Sequence, residues 1–388
     1  MQSINPAVLL TAFAQVPDPR DRHGRRFSLP AMLSLAGLAL RANHRSVLAI
    51  AEWGASQTPA CLQTLGFPDG VTPHQSTLHR LFRRLDPAAL AAAVQAAVTQ
   101  ATSTPRARGQ QGIALDGKAQ RGRQAYAEPP TGAVQALSAV DHATALVLAQ
   151  VPIDQLGAKA EAELTVAPRL IAQLDWFGRV LTGDALFCQR PLCQQVLAAG
   201  GDYLVLVKAN QPTLADDLRL LFDPPFPAPP LDDRRAATTI DQGHGRYADT
   251  RHLVASTDLV GYLDWPGVAQ VFRLERTWWA RGRAHRTVHY GLTSLPPAVA
   301  SADRLLSLRR GHWTIENRVH YVKDVSVGED QSTVRLEAGP SILAILRDTA
   351  LNALRLHGDR CIAARLRHYS RHPQDLFSLF GLDHRENA

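Results

Sequence analysis

The sequence predicts an α/β protein in which a mixed sheet, flanked by helices and carrying a β-rich insertion, follows an all-α N-terminal domain. Three changes of pattern indicate this. Residues 1–105 place apolar side chains at helical spacing, residues 106–222 begin with short apolar strands and continue as alternating helices and strands, and residues 223–300 open with a proline-rich break before further strand patterns. Residues 301–360 return to helical spacing and complete the sheet domain, and residues 361–388 form a C-terminal tail.

The composition is typical of a globular protein, with 45% hydrophobic and 20% charged residues among 388. The most apolar run, AMLSLAGLAL at 31–40, is too short to cross a bilayer. The N-terminal MQSINPAVLL lacks the basic-then-apolar order of a signal peptide, and four cysteines are too few for a disulfide framework. We therefore expect a cytoplasmic, nucleoid-associated protein with no membrane partner.

The N-terminal domain is basic. Residues 1–110 contain eleven Arg and no Lys against five acids, which accounts for six of the seven net positive charges of the chain. Such a surface attracts a polyanion such as DNA or RNA, although it can also serve solubility alone. Within it, TPHQSTLHRLFRRL (72–85) predicts a helix that Thr72 caps and that buries an apolar stripe. Its basic side chains fall outside that stripe, so we expect Arg80 and Arg83 to contact DNA.

Two predicted strands of the sheet domain end in an aspartate. Asp116 closes GIALD (112–116) and Asp184 closes RVLTGD (179–184), about 70 residues further on. An acid at that position lies at the carboxyl edge of a sheet, where α/β proteins place their chemistry, but a single such Asp is as often a helix cap or turn former. Neither Asp leads into a glycine-rich phosphate loop.

A third acid lies in RRGHWTIENRVHYVKD (309–324). If this segment is an α-helix, His312, Glu316, His320 and Lys323 share one face. A solvated surface helix would show the same pattern. With the two strand-end aspartates, Glu316 gives three carboxylates that can converge, and such hard oxygen ligands suit Mg²⁺ or Mn²⁺. A pair of these ions would let an acidic site act on a phosphodiester, activating the attacking oxygen and stabilising the leaving one.

Several stretches together resemble the DDE transposases of bacterial insertion sequences, and more narrowly their H-repeat-associated (ISAs-type) branch. The resemblance covers nearly the whole chain. The matching stretches are PDPRDRHGRRFSLPAML, IAEW, IALDGKAQRG, LTGDALFCQR, GGDYLVLVKANQPTL, DQGHGR, RGHWTIENRVHYVKDVSVGEDQS and LRDTALNALR.

The resemblance implies an RNase H-like catalytic domain in which Asp116, Asp184 and Glu316 are the catalytic residues and bind two Mg²⁺ or Mn²⁺ ions. Wider relatives carry a signature of Tyr, two residues, Arg, three residues, Glu, six residues and Lys. In this chain Glu316 and Lys323 keep the last spacing.

The first two positions of that signature depart from the family pattern, because Arg309 and His312 stand where Tyr and Arg are expected. The groups that hold the scissile phosphate are therefore open. Basic side chains near the acids and in the insertion are predicted to contact DNA: His312, His320 and Lys323 in the late segment, Lys118 and Lys208 at the sheet edge, and His244 and Arg246 in the turn GHGR. For Lys118 and Lys208, surface solubility is the alternative.

The insertion also contains TWWARGRAHRTVHY (277–290), which suits bases stacked on aromatic rings beside a phosphate track. A two-stranded ribbon with one buried Trp and a solvated Arg face explains it equally well. Taken together, these features predict a transposase that binds its element's ends and target DNA, as a homodimer on DNA, and cleaves and joins strands. The alternatives are a structure-specific nuclease without strand transfer and an inactive, transposase-derived DNA-binding protein.

Overall fold

The computed structural model describes residues 7–103, 105–120, 134–153, 161–227, 230–243 and 246–382. The α-helices described are α1 (Val8–Thr11), α2 (Leu29–Arg41), α3 (Val47–Ala55), α4 (Pro59–Thr64), α5 (Gln75–Arg84), α6 (Pro87–Ala101), α7 (Glu163–Ala172), α8 (Arg190–Ala198), α9 (Pro212–Phe222), α10 (Ala302–Gly311), α11 (Gly339–His357), α12 (Ile362–Arg371) and α13 (Pro373–Leu379). Within the described residues, no helix is both long and apolar enough to cross a membrane.

The N-terminal region is helical, as the sequence predicts. Ser28 caps α2 by accepting a hydrogen bond from the Ala31 amide, and nearly every residue of that helix is buried. The basic helix α5 starts two residues later than the Thr72 cap would place it. His74 is the observed cap, and its ring accepts a hydrogen bond from the Ser76 amide at 3.2 Å. The predicted apolar stripe of α5 is buried.

The sheet has the strand order β3-β2-β1-β4-β5-β9-β8-β7-β6. β1 pairs antiparallel with β2 and parallel with β4, and β4 pairs parallel with β5. The 3-2-1-4-5 half is the RNase H-like arrangement, so the predicted fold class is confirmed. The strands are β1 (Gln111–Gln120), β2 (Val134–Asp141), β3 (Val147–Ile153), β4 (Arg179–Gly183), β5 (Asp202–Val207), β6 (Arg235–Gly243), β7 (Arg246–Ser256), β8 (Gln270–Ala280) and β9 (Arg283–Thr293).

The β-rich part of the chain continues this same sheet, because β9 pairs antiparallel with β5. β8 and β9 form a long hairpin whose turn at Arg281 and Gly282 has positive φ at both residues. Near its tip, Trp278 stacks on His285 with ring centroids 5.1 Å apart, and the side chain of Trp279 is exposed. The backbone of residues 277–290 is therefore the two-stranded ribbon that the sequence offered as one of two interpretations.

The helix α11 is the centre of the helical layer, buried along almost its whole length and packed on α2 and α6. Residues 361–388, which the sequence predicts to be a C-terminal tail, contain α12 and α13. These helices pack against the N-terminal helices. Trp53 stacks on Phe377 at 6.1 Å, and the guanidinium of Arg41 lies 4.4 Å from the ring centroid of Phe380. The chain thus folds back from its C-terminal end onto its N-terminal region.

Candidate active site

The two strand aspartates lie at one edge of the sheet. β1 and β4 run parallel with Ala114 opposite Thr182, so Asp116 and Asp184 each follow two residues beyond that pair. β1 does not end at Asp116 as predicted, since it continues to Gln120 paired only with β2. Asp116 therefore lies where β1 separates from β4.

Asp184 also forms a turn, the alternative that the sequence left open. Its carboxylate accepts a hydrogen bond from the Leu186 amide at 2.9 Å and caps the short turn Ala185–Phe187. The Asp184 side chain stays exposed at the sheet edge. A capping role and a place in the site are therefore compatible.

Glu316 reaches the same edge from a π-helical segment, Ile315–His320, which follows α10. Ile315 and Val319 pack in one apolar cluster with Ala114 of β1, and this contact fixes the segment over the strand. A π-helix has hydrogen bonds between residues i and i+5 and is frequently found at functional sites. The wider turn brings Glu316 and His320 to face Asp116.

His320 lies between the two carboxylates. Its Nδ1 is 3.1 Å from the Glu316 carboxylate and 3.5 Å from that of Asp116, and its side chain is only 7% exposed. The Nε2 atom is buried without a hydrogen-bond partner in the described structure. One ligand atom from each of Asp116, Glu316 and His320 falls within 4.8 Å of the others, so this group could hold a metal ion.

The electrostatics of the edge favour a cation. Burial raises the pKa of Asp116, His320 lowers it, and the charges of Glu316 and Asp184 raise it again. Because ionised carboxylates in such a group repel one another, a divalent cation would stabilise it. Two carboxylates and an imidazole suit Mn²⁺ and also admit Mg²⁺, so the residues present fit the metal that the family implies.

A fourth carboxylate, Glu163 in the first turn of α7, was not predicted. A Cβ at Gly117 would overlap the Glu163 carboxylate, so the glycine beside Asp116 leaves room for it. Burial raises the pKa of Glu163, and the charges of Asp116 and Asp184 raise it further. The only sequence signal was the glycine in DGK, because Glu163 itself sits in an ordinary amphipathic helix.

The prediction that His312 and Lys323 share an exposed face with Glu316 is wrong. His312 is 8% exposed, and its ring lies 3.3 Å from the Thr182 hydroxyl. Burial lowers the pKa of His312 to about 3, so it is neutral. His312 precedes the π-helical segments Ile315–His320 and Val322–Ser326 and packs against β4 from the end of α10. Lys323 lies within the second segment, and the wider turns of the two segments place its side chain on a different face from the one an α-helix predicts. His320 is buried too, and it faces carboxylates.

Lys323 lies in a buried ion cluster under the π-helical segments. Its Nζ is 3.0 Å from Asp348 of α11 and 3.5 Å from Glu329, and the residue is 3% exposed. Burial alone would lower the pKa of Lys323, but Asp348 and Glu329 outweigh it and raise that pKa. Lys118 of β1 reaches the same cluster, 2.5 Å from Asp324 and 4.0 Å from Glu329. Both lysines are therefore engaged inside the protein, contrary to the prediction of phosphate contacts.

The remaining predicted DNA contacts are spread over the surface. Lys208 is exposed one residue beyond β5, and Arg80 is exposed on α5. Arg83 is 2.5 Å from Glu337, with both side chains partly exposed. His244 and the side chain of Arg246 lie outside the described residues.

Comparison with known proteins identifies the family of the chain. The family model for the transposase DDE domain matches residues 107–353, and the DDE_Tnp_1-associated model matches residues 10–97. The chain belongs to the transposase DDE domain family. The predicted family and enzyme class are thereby confirmed, and this transposase is the product of an insertion sequence.

Its relatives are similar over much of their length. The Escherichia coli K12 protein YbfL is 26% identical over 373 residues, covering 92% of this chain and 93% of its own. YhhI of the same strain, named as an H repeat-associated transposase, is 29% identical over 66% of each chain. A Xanthobacter autotrophicus protein from the dhlA 3′ region is 30% identical over 68% of this chain and 86% of its own.

Proposed function

We propose that this transposase binds the ends of its element, cleaves DNA there and joins the freed ends to target DNA, with Asp116, Asp184 and Glu316 as its catalytic residues. The single observation that carries the proposal is the convergence at one sheet edge. Asp116 and Asp184 occupy equivalent positions on adjacent parallel strands, and Glu316 comes within reach of Asp116 across His320.

Divalent cations are part of the proposal. Asp116, Glu316 and His320 would hold one ion, and Asp184 with the open side of Asp116 would hold a second, with Mg²⁺ and Mn²⁺ as the candidates. When bound, such ions neutralise the phosphodiester's charge and lower the pKa of the attacking water or hydroxyl. Glu163, half-buried beside Gly117, is placed to add a fourth oxygen ligand.

The protein's own groups define the geometry of the reaction. The acids lie at one edge of a rigid sheet, which would hold the scissile phosphate and the attacking oxygen in fixed relative positions for in-line attack. Hydrolysis by water and strand transfer by a 3′-hydroxyl are both in-line displacements at phosphorus, so one set of residues serves both steps. The buried neighbours Ile315 and Val319 hold Glu316 in place during both.

DNA is the proposed partner along two surfaces. Lys208 and the Trp279 edge of the β8–β9 hairpin lie on the sheet, and Arg80 lies on the basic helix α5. Cationic and aromatic side chains of this kind bind backbone and unpaired bases. We also propose that the protein acts as a homodimer on DNA in the cytoplasm, one copy per element end.

The test uses the purified full chain and a duplex that copies the inverted repeat bordering its gene. With Mg²⁺, we expect cleavage at the element end and joining to a second duplex, and both should stop with chelator. Asp116→Asn should abolish both reactions while leaving DNA binding intact. Cleavage without joining would instead indicate a nuclease, and binding without cleavage an inactive derivative.

A further inference from the structure

Arg309, in the last turn of α10, is a buried cation without a described partner. The residue is 8% exposed, and its Nε and Nη1 atoms are buried without a hydrogen bond. Within the described structure, no ion pair involves it either. Arg41 and Arg347 also have buried nitrogens without a hydrogen bond in the described structure, but they and Arg355 each have at least one partner. Arg41 donates to the Thr349 carbonyl, Arg347 lies 3.8 Å from Glu329, and Arg355 donates to the Ala145 carbonyl.

Among the residues that the structure describes, no carboxylate lies within ion-pair distance of Arg309. Its neighbours include His142, His289 and His312, each with a pKa lowered first by burial and further by the charge of Arg309. The imidazoles are therefore neutral. Burial lowers the pKa of Arg309, and the negative charge of Asp184 partly offsets this shift. Burying the Arg309 guanidinium destabilises the folded protein, because hydrogen bonds do not compensate for the loss of its hydration.

Arg309 lies beside the acidic edge. Val207 of β5 pairs with Tyr290 of β9, so the next residues along, Lys208 and His289, fall opposite each other. Burial lowers the pKa of His289, and the charges of Arg309 and Lys208 lower it further, so both cations lie near that ring. His312, three residues after Arg309, lies 3.3 Å from the Thr182 hydroxyl, and Leu308 packs in one apolar cluster with Ala185. Because Asp184 lies between Thr182 and Ala185 in the chain, the end of α10 that carries Arg309 lies beside Asp184.

We propose that Arg309 binds the phosphate that is to be cut, and that it draws this phosphate against Asp184 with Lys208 on its outer side. The proposal rests on the proposed function, since it assigns the phosphate subsite of the same active site. A guanidinium offers paired N–H donors that match two phosphate oxygens. The Arg309 side chain must rotate toward Asp184 to reach the phosphate oxygens. This rotation breaks no hydrogen bond of its Nε and Nη1 atoms, because neither atom has a partner among the described residues.

The neighbour Arg310 provides a matched control. It is the next residue of the same helix turn, but it is 38% exposed and pairs with Asp241 at 2.7 Å. Arg309→Gln and Arg310→Gln therefore remove the same charge one residue apart. Arg309→Lys keeps a charge and loses the paired donors, so we expect it to fall between wild type and Arg309→Gln.

The experiment first maps the phosphate that the unchanged protein cleaves with Mg²⁺; absence of cleavage would count against the proposed function itself. Binding is then measured in chelator with the natural duplex and with one carrying a neutral methylphosphonate at that position. The wild type and Arg310→Gln should lose at least about tenfold in affinity on the modified duplex, as expected for a buried charged contact. Arg309→Gln should bind both duplexes equally, at the weakened level.

A second measurement guards against misfolding. Because Arg309→Gln removes an unpaired buried charge, the melting temperature of the free protein should stay equal or rise. The proposal is overturned if Arg309→Gln remains as sensitive to the methylphosphonate as the wild type. It is also overturned if this variant melts earlier and loses Mn²⁺ affinity, since the guanidinium would then serve as the countercharge of Asp184.

Discussion

Replacing Lys323 tests whether this lysine supports the fold or contacts DNA. Its ammonium is almost fully buried, hydrogen-bonded to Asp348 at 3.0 Å and close to Glu329 at 3.5 Å. Lys323→Met keeps the volume of the side chain but removes the cation nearest to both carboxylates. Arg347 and Lys118 remain in the cluster, 3.8 and 4.0 Å from Glu329. Breaking a buried ion pair by removing one partner costs about 3–5 kcal/mol, and that loss is expected here.

The assay is urea unfolding of the free protein, together with DNA binding under conditions where each variant is folded. Lys323→Met should lower the free energy of unfolding by that amount and leave DNA affinity within about twofold. Adding Asp348→Leu should recover part of the loss, because an apolar pair can replace a buried ion pair. The reasoning is refuted if Lys323→Met unfolds as the wild type does while DNA affinity drops tenfold or more.

Four further predictions follow from the same structure. Lys208→Met, an exposed change, should alter the free energy of unfolding by less than about 0.5 kcal/mol, yet reduce the salt dependence of DNA binding by about one phosphate contact; an unchanged salt slope would contradict this. Gly117→Ala should displace the Glu163 carboxylate, cost about 1–3 kcal/mol of stability and weaken Mn²⁺ binding, whereas Ala119→Gly on the same strand should leave Mn²⁺ binding alone. Glu163→Gln should stabilise the metal-free protein at neutral pH, because the folded protein raises the pKa of Glu163 and so disfavours its ionised form; the gain should shrink as the pH falls through that raised pKa, and a gain that grows on acidification would be the wrong sign. Mn²⁺ at a hundred times its dissociation constant should stabilise the wild type by about 2.7 kcal/mol for each ion bound, and the same total increment in Asp116→Asn would show that the ions bind elsewhere.

Much of the fold followed from local sequence patterns. Short apolar strands, turn residues and helical spacing are local signals, and they located the strands of Asp116 and Asp184 and the helices of the N-terminal region. The parallel pairing of β1 with β4 then brings the two acids to one edge. The segment 309–324 offered Glu316 as a third acid that could converge with them, and the family resemblance added the expectation that the three bind metal together.

The side-chain environment of the late segment could not be predicted in the same way. An α-helical wheel puts Lys323 on the face of Glu316, but the π-helical hydrogen bonding changes the angle between successive residues. No local sequence pattern predicts this switch from α-helical to π-helical hydrogen bonding. The partners of Lys323 are equally remote, since Asp348 lies 25 residues away on a helix of another layer. Glu163 was missed for the same reason, because its nearness to Asp116 arises from tertiary packing.

The most direct test of the account is a titration of the metal-free protein with Mn²⁺, followed by calorimetry and by the electron paramagnetic resonance of the bound ion. The wild type should bind two ions, and Asp116→Asn, Asp184→Asn and Glu316→Gln should each lose at least one of them. A nitrogen coupling from His320 should be visible in the wild type and absent in His320→Ala. If Glu316→Gln bound Mn²⁺ with the stoichiometry and affinity of the wild type, the three acids would not form one metal site and the account would be contradicted.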